Sequence, residues 1–163
     1  MAQADKILLG TGVFSVGGTA IGLTRGGGTF SLEREIRHID ADGDRGFVEG
    51  RQMIDKEFPK LVVNGLDLFT AADLLKYYPA LSNTTGTVTG TLAIAAGDYV
   101  DVTWVGKTKD GKGVTITVQN ALNLANLEWG LEDKSETVAT LEYTGHYTEA
   151  NRNTPCWSVV FAA

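Results

Sequence analysis

The most chemically suggestive stretch of the chain is a run of acidic residues and glycines in its first third. Asp40, Asp42 and Asp44 match the first three ligand positions of a calcium-binding loop. Arg45 stands where that loop needs glycine, and Arg51 stands where it needs a bidentate glutamate. We therefore predict no metal site here and interpret the run as a charged, solvated loop that docks onto a partner.

Residues suited to nucleophilic catalysis are present but not in catalytic patterns. The chain has two histidines, His38 and His146, and one cysteine, Cys156, and no serine stands in a Gly-x-Ser-x-Gly elbow. Gly10 and Gly12 begin a dinucleotide-binding pattern, but Ser15 replaces its third glycine. The sequence predicts no catalytic residue, no cofactor and no enzyme, and Cys156 is interpreted as a packed apolar residue.

Tryptophans and carboxylates leave two alternatives open. Trp104, Trp129 and Trp157 are candidates for a sugar-binding platform, although such residues serve more often as core or interface anchors. Any two of the many carboxylates could in principle form a glycosidase pair, and the sequence offers no basis for choosing one. A carbohydrate- or receptor-binding module and a small β-barrel enzyme therefore remain as alternatives.

Composition points to a single folded, mostly β domain spanning residues 1–163. The chain is 43% hydrophobic and 21% charged, which excludes a disordered chain, and its net charge of −6 disfavours a nucleic-acid-binding surface. Twenty glycines and 19 threonines favour strands with tight turns. No apolar run is long enough to span a membrane, and no secretory signal is visible.

Alternating apolar and polar residues predict long strands. Residues 29–39 alternate, residues 51–63 read as extended, residues 92–122 form a hairpin, and residues 137–149 alternate again. Residues 1–12 are interpreted as a strand or an N-terminal arm. The architecture that these elements favour is an antiparallel β-sandwich or barrel.

One short helix flanks the predicted sheets. Thr70 is its N-cap, Asp73 stands three residues on, and Pro79 ends it. Two turns are too few for independent stability, so the helix must cover a sheet. The residues predicted to pack it are Leu74, Leu75 and Tyr78.

The segments together resemble a known family. The runs FSLEREIRHIDADGDRGFVEGRQMIDKEFPKLVVNGLDL, VTITVQNALNL and LEDKSETVATLEYTGHYTE, with the capped helix between them, are similar to tail tube (major tail) proteins of long-tailed bacteriophages with non-contractile tails. The likeness covers most of the chain in order and is weaker in residues 1–28 and in the last dozen.

The resemblance implies a structural virion protein. Six β-sandwich protomers would close into a ring with fused inner sheets, and rings would stack into a tube through which linear DNA passes without specific binding. Implied partners are further copies of the chain and the tape measure, tail terminator and distal tail proteins. The implied location is the virion, after assembly in the host cytoplasm, with no membrane. A tube protein of a related secretion or injection system is a further alternative.

Two sets of residues are assigned on this basis. Strand parity makes Glu33, Glu35 and Glu142 candidates for the lumen wall. The loop of residues 40–50 is predicted to be mobile in the monomer and ordered in contacts between subunits or rings. Its candidate contact residues are Asp40, Asp42, Asp44, Arg45, Glu49 and Arg51.

Overall fold

The computed structural model describes residues 3–163, and it confirms a mainly β chain with antiparallel sheets and one short α-helix. The strands are β1 (Leu8–Val16), β2 (Thr19–Ala20), β3 (Thr24–His38), β4 (Gln52–Gly65), β5 (Leu81–Thr84), β6 (Thr87–Gly90), β7 (Val100–Thr108), β8 (Gly113–Asn123), β9 (Ala139–Thr144) and β10 (Trp157–Phe161). The helix is α1 (Ala71–Tyr77), and short 3-10 turns span Gln3–Lys6, Ala96–Asp98 and Glu149–Asn151.

Two sheets share one strand. Sheet A runs in the order β2, β1, β7, β8, β10, and sheet B contains β3, β4, β9 and the last residues of β8. Every pairing is antiparallel, and β5 and β6 form a separate hairpin. The sandwich is therefore closed on the side where β8 passes from one sheet to the other.

The change of sheet follows an irregularity in β8 at Asn120. Ala121 still pairs with Val100 in sheet A, whereas Leu122 pairs with Thr144 in sheet B. Asn120 has a φ of +47°, in the left-handed region that asparagine tolerates better than most residues. Its backbone N–H donates to the carboxylate of Asp101 at 3.0 Å, which holds the bend.

The core lies between the two sheets. Val63, Val102, Val118 and Leu141 are fully buried there, and Tyr143 is 1% exposed. The buried residues of β9 stand at alternate positions, as the alternation in residues 137–149 predicts. The buried residues together give the sheets one common apolar layer, as a sandwich requires.

Glycines allow the indole of Trp104 to lie flat on sheet A. A Cβ on Gly12 would stand 2.4 Å from the ring, and one on Gly106 would stand 2.2 Å from it. Trp104 is 6% exposed, so it is a core residue.

Helix α1 begins as predicted, but the residues most deeply buried at the helix are tyrosines rather than leucines. The Thr70 hydroxyl accepts the Asp73 backbone N–H at 3.1 Å. Tyr77 and Tyr78 are buried, whereas Leu74 and Leu75 are only partly buried. The helix ends in an extended residue, Tyr78, so consecutive tyrosines both turn toward the core.

The N-terminal segment enters sheet A. Residues 1–2 of the predicted arm lie outside the described residues. Leu8 pairs with Thr108, and Gly12 pairs with Gly106 across an irregularity in β1. Residues 8–12 therefore form part of a strand, because β7 offers them an edge with which to pair.

Candidate functional site

The outer face of sheet B collects the three acidic residues assigned to a lumen. Glu35 lies opposite Lys56 in the β3–β4 ladder, and Glu142 lies opposite Val62 in the β4–β9 ladder. Glu33 lies two residues from Glu35, so it shares the same side of β3. All three carboxylates thus project away from the core on one face.

Two lysines lie between these acids. The ammonium of Lys60 is 3.2 Å from Glu33 and 3.6 Å from Glu142, and Lys56 is 3.7 Å from Glu35. The hydrogen bond to Glu33 raises the pKa of Lys60 above its usual value, although desolvation opposes this effect. With three carboxylates and two ammonium groups, the charged cluster carries a net charge of one negative unit.

Sequence reasoning identified the acids and missed the lysines. Lys56 and Lys60 are four residues apart on β4, and their side of the strand becomes informative only once the register with β3 is known. Because a shift of one residue would reverse the faces, the pairing of acids with lysines could not be read from β3 alone.

Beyond the body of the sandwich, β3 and β4 continue as a projecting hairpin. Its outer residues are exposed, including Ile36, Met53 and Ile54, which are each about half exposed. Ion pairs between the strands, Arg34 with Glu57 at 2.9 Å and Arg37 with Asp55 at 3.0 Å, hold the ribbon together. A two-stranded ribbon with apolar side chains in water is poorly stable alone and is suited to being covered by a partner.

The tip loop, residues 39–51, has a compact internal structure. One oxygen of Asp44 accepts the Ala41 backbone N–H at 2.8 Å and an Arg51 guanidinium N–H at 2.6 Å. Phe47 stacks on His38 with ring centroids 3.8 Å apart, yet it remains 73% exposed.

The predicted contact residues of the loop fall into two groups. Asp44 and Arg51 stabilise the loop itself, while Asp40, Asp42, Arg45 and Glu49 are exposed. The sequence analysis described the loop as charged and solvated and did not single out its apolar tip. The signal was available, since Phe47 and Val48 stand side by side between glycines and acids.

The outer edge of β3, one strand of this hairpin, is unpaired in the described part of the chain. Within residues 3–163, β3 pairs only with β4, so its other edge is open along 15 residues. An open edge presents a row of N–H and C=O groups to any strand that approaches.

The cysteine and the tryptophans that the sequence offered as candidates for chemistry are used in packing. Burial raises the pKa of the Cys156 thiol, and its side chain is hydrogen bonded to Tyr147. The tryptophans do not share one platform, because Trp104 is in the core, Trp157 packs on Phe30 and Trp129 packs on Phe69. No cluster of three or more metal-ligating side chains occurs in residues 3–163.

Comparison with known proteins adds no identification. No protein-family model matches the chain, and no curated protein is detectably similar to it in sequence. In the part of the chain that the structure describes, no helix has the length and apolar character needed to cross a membrane.

Proposed function

We propose that this chain is the protomer of a self-assembling tube of the bacteriophage tail type, in which hexameric rings stack around a channel for linear DNA. One observation carries the proposal: the three predicted lumen acids share an exposed face of a sheet whose last strand has an open edge of 15 residues.

The open edge of β3 supports ring closure. A long unpaired strand invites uncontrolled association unless another element covers it. Repeated head-to-tail pairing of such sheets produces a closed ring when the rotation per copy divides a full turn. Closure would join the sheets B of all copies into one barrel, in which no edge of this kind remains open.

The outer face of sheet B suits the wall of a DNA channel. Attraction between phosphates and basic groups dominates nonspecific DNA affinity. On this face each lysine is paired with glutamate, at distances of 3.2–3.7 Å for Lys60–Glu33, Lys60–Glu142 and Lys56–Glu35. A slightly acidic wall with neutralised lysines would let DNA slide without being held.

The projecting hairpin supports stacking of rings. It extends beyond the sandwich and ends in Phe47, whose ring is largely exposed. Burial of such a side chain in a neighbouring ring would remove its apolar surface from water, worth about 1.5–3 kcal/mol for a fully covered phenylalanine. Contacts with tape measure, terminator and distal tail proteins, and a location in the virion, belong to the same proposal.

The decisive experiment is electron microscopy of the purified protein in negative stain over a rising concentration series. We expect six-fold rings, and stacked hollow tubes at the highest concentrations. Particles that remain single protomers at every concentration, alone and with added seed particles, would contradict the proposal and favour a binding module.

Shortening the tip loop separates ring formation from stacking. Replacement of residues 41–49 by a tight turn should leave the protomer folded and rings intact but abolish tubes, because the apolar tip is lost. A matched control is Phe47→Ala, which keeps the loop and should weaken stacking to a smaller extent. Normal tubes from the shortened variant would show that the loop has no part in stacking.

A further inference from the structure

A groove of about 570 Å³ lies beside the half of β4 that projects from the body. Strand β9 pairs with residues 60–65 of β4, and this pairing ends where the Gly145 N–H donates to the Pro59 carbonyl at 2.9 Å. Within residues 3–163, no strand pairs with the same edge of β4 in residues 52–58. The groove therefore runs along an open strand edge.

The backbone at the start of the groove offers hydrogen-bonding groups. In an antiparallel strand, the N–H and C=O of one residue point to the same side, and alternate residues share that side. Because the Pro59 carbonyl points toward Gly145, the N–H and C=O of Glu57 point into the groove. A short segment can bind both groups without reaching the residues with which β9 already pairs.

Two polar side-chain atoms of the groove lack hydrogen-bond partners among residues 3–163. The Thr144 hydroxyl and Nδ1 of His146 are shielded from water, and both residues line the groove. Thr144 as a whole is 5% exposed. Buried polar atoms are normally paired, so the groove suits an occupant that brings hydrogen-bonding groups of its own.

The charged side chains that line the groove are already matched within the chain. Each has an ionic partner at 2.9–3.7 Å, and the pairs are Asp55–Arg37, Lys56–Glu35, Glu57–Arg34 and Arg152–Glu149. Ile54, Phe58 and Leu124 add apolar surface to the walls. Because a charge brought into the groove would gain no unmatched partner among these side chains, the groove favours an uncharged segment with apolar side chains.

One exposed segment of the chain has this chemistry. Residues 91–95, here called the apolar loop, connect the β5–β6 hairpin to the 3-10 turn Ala96–Asp98, and all five are exposed and uncharged. In residues 3–163, every other segment of five or more residues outside helices and strands contains a charged side chain. Leu92 is fully exposed and Ile94 is 54% exposed, so two large apolar side chains stand together in water.

The apolar loop is held closed at both ends. The Thr91 N–H donates to the Ala80 carbonyl at 2.8 Å, and the Ala95 N–H donates to the Asp98 carboxylate at 2.8 Å. The same carboxylate accepts the Ala80 N–H at 3.3 Å, so the two anchors adjoin each other. The loop is therefore already ordered, and its docking would cost little conformational entropy.

The tip of the apolar loop is strained and offers hydrogen-bond donors. Leu92 has a φ of +61°, in the left-handed region that leucine seldom adopts. Strain of this kind is typical of sites with a function. The N–H groups of Leu92, Ala93 and Ile94 make no hydrogen bond within residues 3–163. Donors at the tip thus complement the acceptors in the groove.

The anchors separate the apolar loop from the groove of its own protomer. None of residues 91–95 lines that groove, and both loop ends are bound to Ala80 and Asp98. The occupant of the groove is therefore assigned to another copy of the chain.

We infer that the groove beside residues 52–58 of β4 binds the apolar loop of a second copy of this chain, with Leu92 and Ile94 of that copy against Phe58 and Leu124. The loop N–H groups would donate to the Glu57 carbonyl and the Thr144 hydroxyl. The contact is heterologous, because loop and groove are different parts of the surface, so it can be repeated from copy to copy. This inference rests on the proposed function, which supplies the second copy.

Cross-linking between two different variants tests the contact. Ala93→Cys keeps both large side chains of the loop, and Lys56→Cys places a thiol in the groove wall. The two proteins, with tags of different size, are mixed, assembled and treated with a short thiol cross-linker. Mixing single variants excludes links within one protomer. The native Cys156 is buried, and its thiol has a raised pKa, so it contributes little background.

We expect heterodimer between Ala93→Cys and Lys56→Cys several-fold above the control. The matched control replaces Ala93→Cys by Thr87→Cys, an exposed position on the neighbouring β6. Addition of Leu92→Asp to the Ala93→Cys protein should abolish the link, because it brings a charge into the groove. Addition of Thr87→Asp, the same change at an exposed site outside the loop, should leave the yield unchanged.

The outcomes distinguish the contact from the proposed function. Tubes in the microscope with no heterodimer above the control would overturn the loop contact and leave the tube proposal intact. A link within one protomer of the double variant Ala93→Cys/Lys56→Cys, without heterodimer, would show that the loop fills its own groove and would also overturn the contact. Heterodimer from a protein that forms neither rings nor tubes would support the contact and contradict the proposed function.

Discussion

The buried amide of Asn123 joins three parts of the chain. Its NH₂ donates to the Tyr77 carbonyl at 2.8 Å, and its oxygen accepts the backbone N–H groups of Ala125 at 3.0 Å and Glu142 at 3.1 Å. The Tyr143 hydroxyl donates to the same Tyr77 carbonyl at 3.3 Å. One polar cluster therefore fixes the end of α1 relative to sheet B.

Tyrosine burial at this cluster predicts a loss of stability in alkali. Burial raises the pKa of Tyr143, Tyr77 and Tyr78, so these phenols stay protonated in the folded chain. In the unfolded chain they ionise near pH 10. Their contribution is full below about pH 10 and falls as pH rises further, because the unfolded state then binds fewer protons than the folded state.

We therefore expect Tm to fall steeply between about pH 10 and 11.5, and the fall to be smaller for Tyr143→Phe than for the parent. At neutral pH the same variant should lose only about 1 kcal/mol, the worth of one hydrogen bond. Thermal melts monitored by circular dichroism measure both effects. Tyr99→Phe is the control, because Tyr99 is 38% exposed. If Tyr99→Phe reduced the fall of Tm in alkali as much as Tyr143→Phe does, the assignment to Tyr143 would be contradicted.

At the scale of elements, helix α1 gives a graded set of expected losses. Thr70→Ala removes the cap and should lower the free energy of unfolding by about 1 kcal/mol. Leu74→Ala should fall below the 2–5 kcal/mol typical of enclosed leucines, since Leu74 is only partly buried. Tyr77→Ala should exceed both, because Tyr77 is 5% exposed.

Urea unfolding of the three variants measures this order. A larger loss from Leu74→Ala than from Tyr77→Ala would mean that the helix packs through its leucines, as the sequence pattern suggested. Thr70→Ser serves as the control for the cap, because it keeps the accepting hydroxyl and should stay close to the parent.

Local signals in the sequence predicted the elements that depend on near neighbours. The hairpin of β7 and β8, the cap at Thr70 and the inward side of β9 all follow from spacing within a few residues. Proline has no N–H to donate to a ladder and so favours a bulge or an edge, and Pro59 marks the point where β4 loses its second neighbour.

Features set by distant contacts could not be predicted in this way. Ile36 has the same parity as Phe30, yet Ile36 is 53% exposed because β3 has left the body by that point. The bend of β8 at Asn120, just before β8 passes to sheet B, is held by Asp101, and the lysines beside the acids depend on register. The projecting hairpin could not be recognised because its length beyond the core is a property of the packed sandwich.

At the scale of the whole molecule, the two sheets present different outer faces. The central outward residues of sheet A are uncharged, with Val13 paired to Val105 and Ser15 paired to Thr103. The corresponding face of sheet B carries the cluster of Glu33, Glu35, Glu142 and two lysines. If sheet B lines a channel, electrostatic control of passing DNA depends on this face.

If sheet B lines the channel of the proposed tube, reversal of one charge on that face should make the tube retain DNA. Glu142→Lys changes the net charge of the cluster from −1 to +1 and removes one carboxylate partner of Lys60. Duplex DNA carries one negative charge per about 1.7 Å of axis, so lysines repeated in every subunit would meet phosphates all along the channel. The side chains of Lys60 and Glu142 are partly buried, so loss of this ion pair should lower protomer stability by about 1 kcal/mol, and tubes should still assemble.

The measurement uses tubes assembled in the presence of a short linear duplex and then sedimented. Glu142→Lys tubes should carry DNA down at low salt, protect it from nuclease and release it as salt rises, because the attraction is ionic. Glu149→Lys makes the same charge change at a side chain 89% exposed in the 3-10 turn Glu149–Asn151, outside the strands of sheet B, and any DNA that it binds should remain open to nuclease. DNA bound by Glu142→Lys tubes but fully digested would place Glu142 on the outer wall, and loss of tubes would place it at a contact between subunits.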